Sequence, residues 1–485
     1  MSDVLFTPPE PEGRIHSIEP RLGSHRTVVQ TASYGEILRL AIPLILSSTG
    51  VMIMQTMDGI FLSHYSELAI AAMGPGSLAS WLAICLFVGT AGYTSALIAQ
   101  YVGANKHERV GAIVWQGLYL SLFFGALVML LSVFSTDIFR WVGHPPELVE
   151  QESQFFRVTC WGAPIFMINS ALSGFFSGRG NNTPLMFIQL SGLAVNGILS
   201  YSLVFGKFGF PEWGVTGAAT ATVSAQVFVA VLLFLLFIFN KDSERFGTRR
   251  SFRLDMPLLR KLMKFGLPAG FRMWVEILAW TAFVIYIGRI GTAEVAATSL
   301  SFRLNGLAFF PVLGFGQAIS ILVGQAQGQG RSDLAQRGTW RGMVLVLGYM
   351  TFASIGFWFF PIPLCNLFMT GEVAHAGSID PHKIQLLIVD ILKFVAIYST
   401  LDGINLTIVS ALQGAGDTSW TLIVSAILHI GFLFLLAILD YFKMGLYVEW
   451  TAATIFIMSQ AVIWVWRFQQ GKWKSIQVVE HGPEE

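Results

Sequence analysis

Three carboxylates stand in stretches of sequence that are otherwise almost wholly apolar: Asp58 in VMIMQTMDGIF, Glu276 in GFRMWVEILAW and Asp402 in YSTLDGINLTI. An ionised side chain at the centre of a bilayer costs at least about 2.5 kcal/mol on insertion scales, so acids in such places usually face a cavity and act on ions or substrates. Such a carboxylate either takes a proton from one side and releases it to the other, or stays ionised and binds Na⁺. Asn196, Thr281, Asn405 and Thr407 supply hard oxygen donors that could complete a cation site. The plain alternative is a carboxylate neutralised by a buried partner. Arg272 precedes Glu276 by four residues and shares its helix face, and Arg303 is a second candidate partner for Glu276 or Asp402. Either arginine could also be displaced by substrate or cation during a cycle. His429 reads as a proton relay or, more commonly for such a residue, as a packing histidine. Met52, Met54 and Met57 could line an adaptable pocket for apolar cations, although packing is the usual role of methionine in a span.

The elements that carry these groups follow from composition. With 54% hydrophobic and 12% charged residues, against roughly 25% charged in an ordinary soluble domain, the chain belongs in a bilayer. A helix needs about 20 residues to cross the hydrocarbon. About twelve spans are expected, at 37–62, 71–100, 112–134, 155–177, 185–206, 214–239, 262–287, 295–325, 340–361, 388–411, 420–440 and 446–467. The expected fold class is therefore an all-α polytopic membrane protein with two six-helix lobes.

The halves repeat one another. Pro43 and Pro268, Gln100 and Gln325, Gly103 and Gly328, and Trp115 and Trp340 are each 225 positions apart; later the offset becomes 236, pairing Asn169 with Asn405 and SGRGNNT with QGAGDTS. An even number of spans per unit makes the repeats parallel, related by an axis along the membrane normal. Pro43 and Pro268 each remove a helical hydrogen bond and are hinge candidates, with a static kink as the alternative. Gly89, Gly92, Gly314 and Gly316 mark close helix contacts. The acids break the repeat: Phe283 stands opposite Asp58, Val51 opposite Glu276 and Phe166 opposite Asp402.

The expected organisation is a disordered cytoplasmic tail at 1–35, an N-lobe at 36–240, a basic loop at 241–261, a C-lobe at 262–468 and a C-terminal tail at 469–485. The stretch from Asn240 to Lys264 holds eight lysines and arginines, so this loop and both termini are expected in the cytoplasm. The first 35 residues have no apolar core of the kind a cleaved signal needs. A net charge of +1 argues against a nucleic-acid partner. Cys85, Cys160 and Cys365 show no CxxC spacing and read as inert core residues.

In MDGIF with Asp58, AQYVGAN, GLPAGFRMWVEI with Glu276 and STLDGINLTIVSALQGAGD with Asp402, the chain resembles the multidrug and toxic compound extrusion family, nearest its bacterial NorM-like branch. The likeness runs from about Gly35 to about Gln469. It implies export of small cationic, amphipathic compounds in exchange for Na⁺ or H⁺, no other cofactor, a bacterial inner-membrane location and a monomer surrounded by lipid. The residues matching Asp58, Glu276 and Asp402 are implicated in cation coupling, with Asn196, Arg272, Arg303 and Asn405 supporting them. Two departures stand out. Ser200 occupies the place of a second N-lobe acid found in the archaeal proton-coupled type, and Arg272 replaces a small apolar residue, which works against a conventional C-lobe sodium site.

Two other classes compete. A lipid-linked sugar flippase of the wider superfamily would need several basic residues within its spans to shelter a pyrophosphate, and only Arg272 and Arg303 keep that reading open. An intramembrane enzyme would need a motif such as HExxH or a serine elbow, and the spans carry none.

Overall fold

The computed structural model describes residues 29–372 and 381–479. Among these residues sixteen α-helices follow one another: α1 (Tyr34–Tyr65), α2 (Glu67–Gly92), α3 (Thr94–Gly103), α4 (Val110–Leu131), α5 (Ser135–Val142), α6 (Pro146–Trp161), α7 (Ala163–Gly178), α8 (Asn182–Phe205), α9 (Gly214–Ile238), α10 (Met256–Ile290), α11 (Thr292–Gly328), α12 (Ser332–Phe359), α13 (Pro361–Glu372), α14 (Pro381–Ala415), α15 (Thr418–Tyr441) and α16 (Leu446–Gln469). Among the described residues, eleven helical segments are long and apolar enough to cross a membrane, with α2 and α3 forming one of them. The twelfth expected span is the pair α6 and α7.

That pair shows how sequence breaks a helix. Gly162 and Pro164 stand at the junction, where proline has no N–H to give. A Cβ at Gly162 would lie 2.5 Å from a Val223 methyl, so only glycine lets the junction press against α9. The matching positions of the second half, at the offset of 236, are Tyr398 and Thr400, and α14 continues through them unbroken over 35 residues.

The two halves meet along a seam that obeys the repeat. Gly89 of α2 faces Gly270 of α10, where an added Cβ would come 2.9 Å from the Gly270 Cα. Gly314 of α11 faces Ile45 of α1, where it would come 2.5 Å from the backbone nitrogen. The second contact is the first one moved by 225 residues. Glycine is needed because the backbones themselves touch. Gly92 and Gly316 meet the hydroxyls of Ser170 and Ser410, so all four glycines sit at close contacts as expected.

Nearer the end that carries the 240–255 loop, the seam becomes polar. Gln100 Nε2 donates to Gly414 O at 2.8 Å, and Gln325 Nε2 donates to Gly178 O at 2.9 Å. A Cβ at Gly103 would fall on the Gln325 carbonyl oxygen, and one at Gly328 on that of Gln100. Tyr93 Oη adds a bond to Gln413 O at 3.3 Å, and on the far side of the Gly314 contact Ser48 Oγ donates to Phe310 O at 2.9 Å.

Residues 29–33 fall within the expected disordered tail but are held in place. Val29 N donates to Gln325 Oε1 at 2.9 Å, Gln329 Nε2 donates to Val29 O at 2.9 Å, and Arg341 Nη1 donates to Ala32 O at 3.1 Å. Val29 and Ala32 are buried, so the segment straps the first helix to the second half. The reason is that Gln325, Gln329 and Arg341 offer partners to backbone that would otherwise need water. Residues 1–28 lie outside the described residues. At the other end, Trp473 is buried against Phe468, their rings stacked at 4.9 Å.

Candidate functional site

Asp58 lies seven residues from the end of α1, on the buried stripe that also holds Met54 and Leu62. It is 6% exposed. Ser200 of α8 donates to its Oδ1 at 2.7 Å and Thr222 of α9 to its Oδ2 at 3.0 Å. Asn196, one turn before Ser200, donates to Thr222 Oγ1 at 3.2 Å, so its amide fixes the direction in which that hydroxyl points. The Asn196 Oδ1 atom is buried with no hydrogen-bond partner. Among the described residues no lysine, arginine or histidine pairs with Asp58. The Asn196 amide also bears on the carboxylate itself, and an acid held only by neutral groups is satisfied in geometry but keeps its charge uncompensated.

The second-half acids are arranged differently. Arg272 Nη1 and Glu276 Oε2 are 2.8 Å apart, one helical turn from each other on α10, with side chains 15% and 31% exposed. The candidate partnership inferred from their spacing is therefore made. Arg303 is exposed on α11. Asp402, on α14, receives Asn405 Nδ2 at a long 3.5 Å, while the same amide donates to Ile457 O at 3.2 Å. Asp402 lies near both Glu276 and Tyr398. Asn405 Oδ1 and Thr407 Oγ1 are buried with no hydrogen-bond partner. Thr281 bonds back to Ile277 O at 2.8 Å, within its own helix.

His429 fits the packing reading. Its Nδ1–H donates to Ser425 O at 2.7 Å, its ring stands edge-on to Phe456 at 5.0 Å, and it is 2% exposed. Cys85, Cys160 and Cys365 are buried and form no disulfide. Met52 and Met54 are buried, and Met57 touches Gly197. Among the described residues, no group of three or more histidines, cysteines and carboxylates is placed to hold a metal ion.

The structure separates what the sequence offered as one list. Asn196 serves Asp58, whereas Asn405 serves Asp402, and no hydrogen bond or ion pair joins Asp58 to Glu276 or Asp402 among the described residues. Thr222 was not singled out in the sequence, although its place in the threonine-rich GVTGAATATVS opening of α9 was a usable signal. Phe283, which occupies the place of Asp58 in the second half, is fully buried and packs edge-on to Trp450 at 5.3 Å. Pro43 and Pro268 lie inside α1 and α10, two residues before the seam residues Ile45 and Gly270.

This arrangement of two helical lobes with acids inside their spans is that of a membrane transporter. The family model of MatE matches residues 43–202 and 268–439. The chain is 27% identical over 442 residues to the probable multidrug resistance protein NorM of Xylella fastidiosa, covering 89% of this chain and 91% of that one. It is 26% identical over 457 residues to the protein of the same name from Thermotoga maritima, covering 92% and 94%. Among solved structures, it is similar to the outward-facing conformation of a multidrug resistance MATE family transporter of the MOP superfamily. The TM-score is 0.82 at 22% identity, over 91% of this chain and 96% of that one. The same values describe its likeness to a MOP superfamily transporter from Pyrococcus furiosus. The chain belongs to the MatE family, whose members are transporters and not enzymes.

Proposed function

We propose that this protein is a secondary efflux transporter that exports small cationic, amphipathic drugs or toxic compounds in antiport with Na⁺ or H⁺. The observation that supports this most is the pair Asp58 and Asp402, one in each lobe, neither with a basic partner among the described residues. An uncompensated acid in a medium of low dielectric attracts an organic cation and a coupling cation alike, so the two compete for it at different stages. Glu276 joins them once its bond to Arg272 is exchanged, and Asn196, Asn405 and Arg303 modulate the sites.

Alternating access then consists of rocking the N-lobe, 36–240, against the C-lobe, 262–468. The seam through Gln100, Gln325, Gly103 and Gly328 parts in the inward-open state, and Pro43 and Pro268 bend beside it. The termini and the basic loop 241–261 face the cytoplasm across a bacterial inner membrane, and the working unit is a monomer. The flippase reading loses support, because Arg272, one of the two span arginines that would have to meet a pyrophosphate, is tied to Glu276.

The test is purified protein in liposomes loaded with a fluorescent cation and driven separately by a Na⁺ and a pH gradient. Transport under one gradient alone identifies the coupling ion. Transport that survives exchange of Asp58, Glu276 and Asp402 together for amides overturns the proposal.

A further inference from the structure

The membrane-facing side of α4, α7 and α9 carries a groove of about 340 Å³. Its walls are apolar: Trp115 and Tyr119 from α4, Ile165 and Ile168 from α7, Phe234 and Leu235 from α9. The only polar atoms of these six side chains are already engaged. Trp115 Nε1 donates to Thr248 O at 2.8 Å, and Tyr119 Oη donates to Phe252 O. Gln116, between them, donates to Arg253 O at 3.1 Å. Bonds to the carbonyls of residues 248, 252 and 253 therefore fix this backbone over one end of the groove.

That backbone presents Arg249, Arg250 and Arg253, all exposed. Arg249 uses its Nε on Ile238 O at 2.9 Å and lies 5.4 Å from the Phe239 ring centroid, leaving its terminal nitrogens for another acceptor. Arg250 pairs with Glu244 only at 3.8 Å, with both side chains more than four-fifths exposed, a contact that contributes little and is readily exchanged. Arg253 has no acidic partner among the described residues. Between and beside the arginines, Phe239, Phe252 and Leu254 are more than half exposed, as fits a loop lying in the headgroup region.

We infer that this is a binding site for an anionic phospholipid, with one acyl chain in the groove and the phosphate on Arg249, Arg250 and Arg253. Charge and shape argue for the same occupant. The groove lies in the zone that acyl chains fill, the arginines lie at the headgroup level, and guanidinium groups match phosphate oxygens in geometry as well as sign.

The experiment uses the full chain in neutral detergent and native mass spectrometry, with three probes: dioleoyl phosphatidylglycerol, dioleoyl phosphatidylcholine and the deacylated glycerophosphoglycerol headgroup. Phosphatidylglycerol should bind at least tenfold more tightly than phosphatidylcholine, and the headgroup alone should not be retained. R249Q/R250Q/R253Q should abolish the preference, while R249K/R250K/R253K should keep most of it. Ala230 of α9 also lines the groove, and Ala230→Trp, which fills it, should weaken both lipids. Equal binding of the two lipids, or an unchanged preference in the glutamine variant, overturns the inference. So does headgroup binding equal to that of the whole lipid, which would mean a free-phosphate site.

Discussion

Gln100 and Gln325 each reach across the lobe boundary to a backbone carbonyl of the other half, Gly414 for the first and Gly178 for the second. Because the donors are one repeat apart and so are the acceptors, this is one interaction made twice. Each buried carbonyl left without its donor costs about 1–3 kcal/mol. Gln100→Leu with Gln325→Leu should therefore loosen the seam. Spin labels at exposed Glu108 and Asp333 should show a longer and broader distance distribution, and an unchanged distribution would count against the seam as the inner closure.

Gly103→Val tests the same seam by overfilling it. The added carbons meet the Gln325 carbonyl, and overpacking of this kind costs about 1–3 kcal/mol. The thermal midpoint should fall, and transport should fall further than stability accounts for if, as proposed, these backbones part and meet again in each cycle. A variant with full transport would show that the contact is dispensable.

At the first-lobe acid, Asp58→Asn preserves size but removes the charge that Ser200 and Thr222 surround. Efflux of a cationic dye should drop at least about tenfold while the protein stays folded, since an amide replaces a costly buried charge. Thr222→Val should give a smaller loss, because Ser200 still holds one oxygen. If Asp58→Asn transports normally, the charge has no part in the cycle.

Arg272→Met leaves Glu276 without its partner in a half-buried place, where about 1–2 kcal/mol of stability is at stake. Glu276→Gln in the same chain should restore most of it, and a double-mutant cycle on thermal unfolding measures the coupling. The single variant should also change the dependence of transport on Na⁺, because a freed carboxylate can take a cation that the arginine now excludes. A cycle with no coupling energy would remove the ion pair from consideration.

Below the seam, His107 turns the chain from α3 into α4 and is nearly buried, with its Nε2 accepting a bond from Arg245 at 2.9 Å. Burial, and then the Arg245 charge, hold the imidazole below the ordinary histidine range. A folded-state pKa below the unfolded value means the unfolded chain binds the proton more readily. The contribution is thus complete above the ordinary value of 6.5 and is lost as pH falls through the lowered one. His107→Gln should flatten that acid-side loss in a thermal unfolding series, and an identical pH profile would contradict it.

Much of this was legible in the sequence because lipid simplifies the code. Apolar stretches gave the spans, and the 225-residue offset gave the pairing of Gln100 with Gln325 and of Gly103 with Gly328 before any contact was known. The Arg272 and Glu276 pair was legible for a local reason, since a spacing of four on one helix fixes proximity. Thr222 was not, because its meeting with Asp58 depends on how α9 packs against α1, which no spacing within either helix records. The ordered strap at 29–33 was missed for a related reason. Its composition is that of a loop; Glu36 bonds it locally, but partners about 300 residues away, such as Gln325 and Gln329, tie it to the second half.

The contact in which Gly103 meets the Gln325 carbonyl, and Gly328 that of Gln100, places a constraint on heredity as well as on motion. A duplicated gene usually frees its second copy to drift. Here each copy supplies the surface against which the other must close, so a larger side chain accepted at one of these glycines needs a compensating change about 225 codons away. The two halves of the gene can diverge in their acids and their loops, but at this seam they must change together.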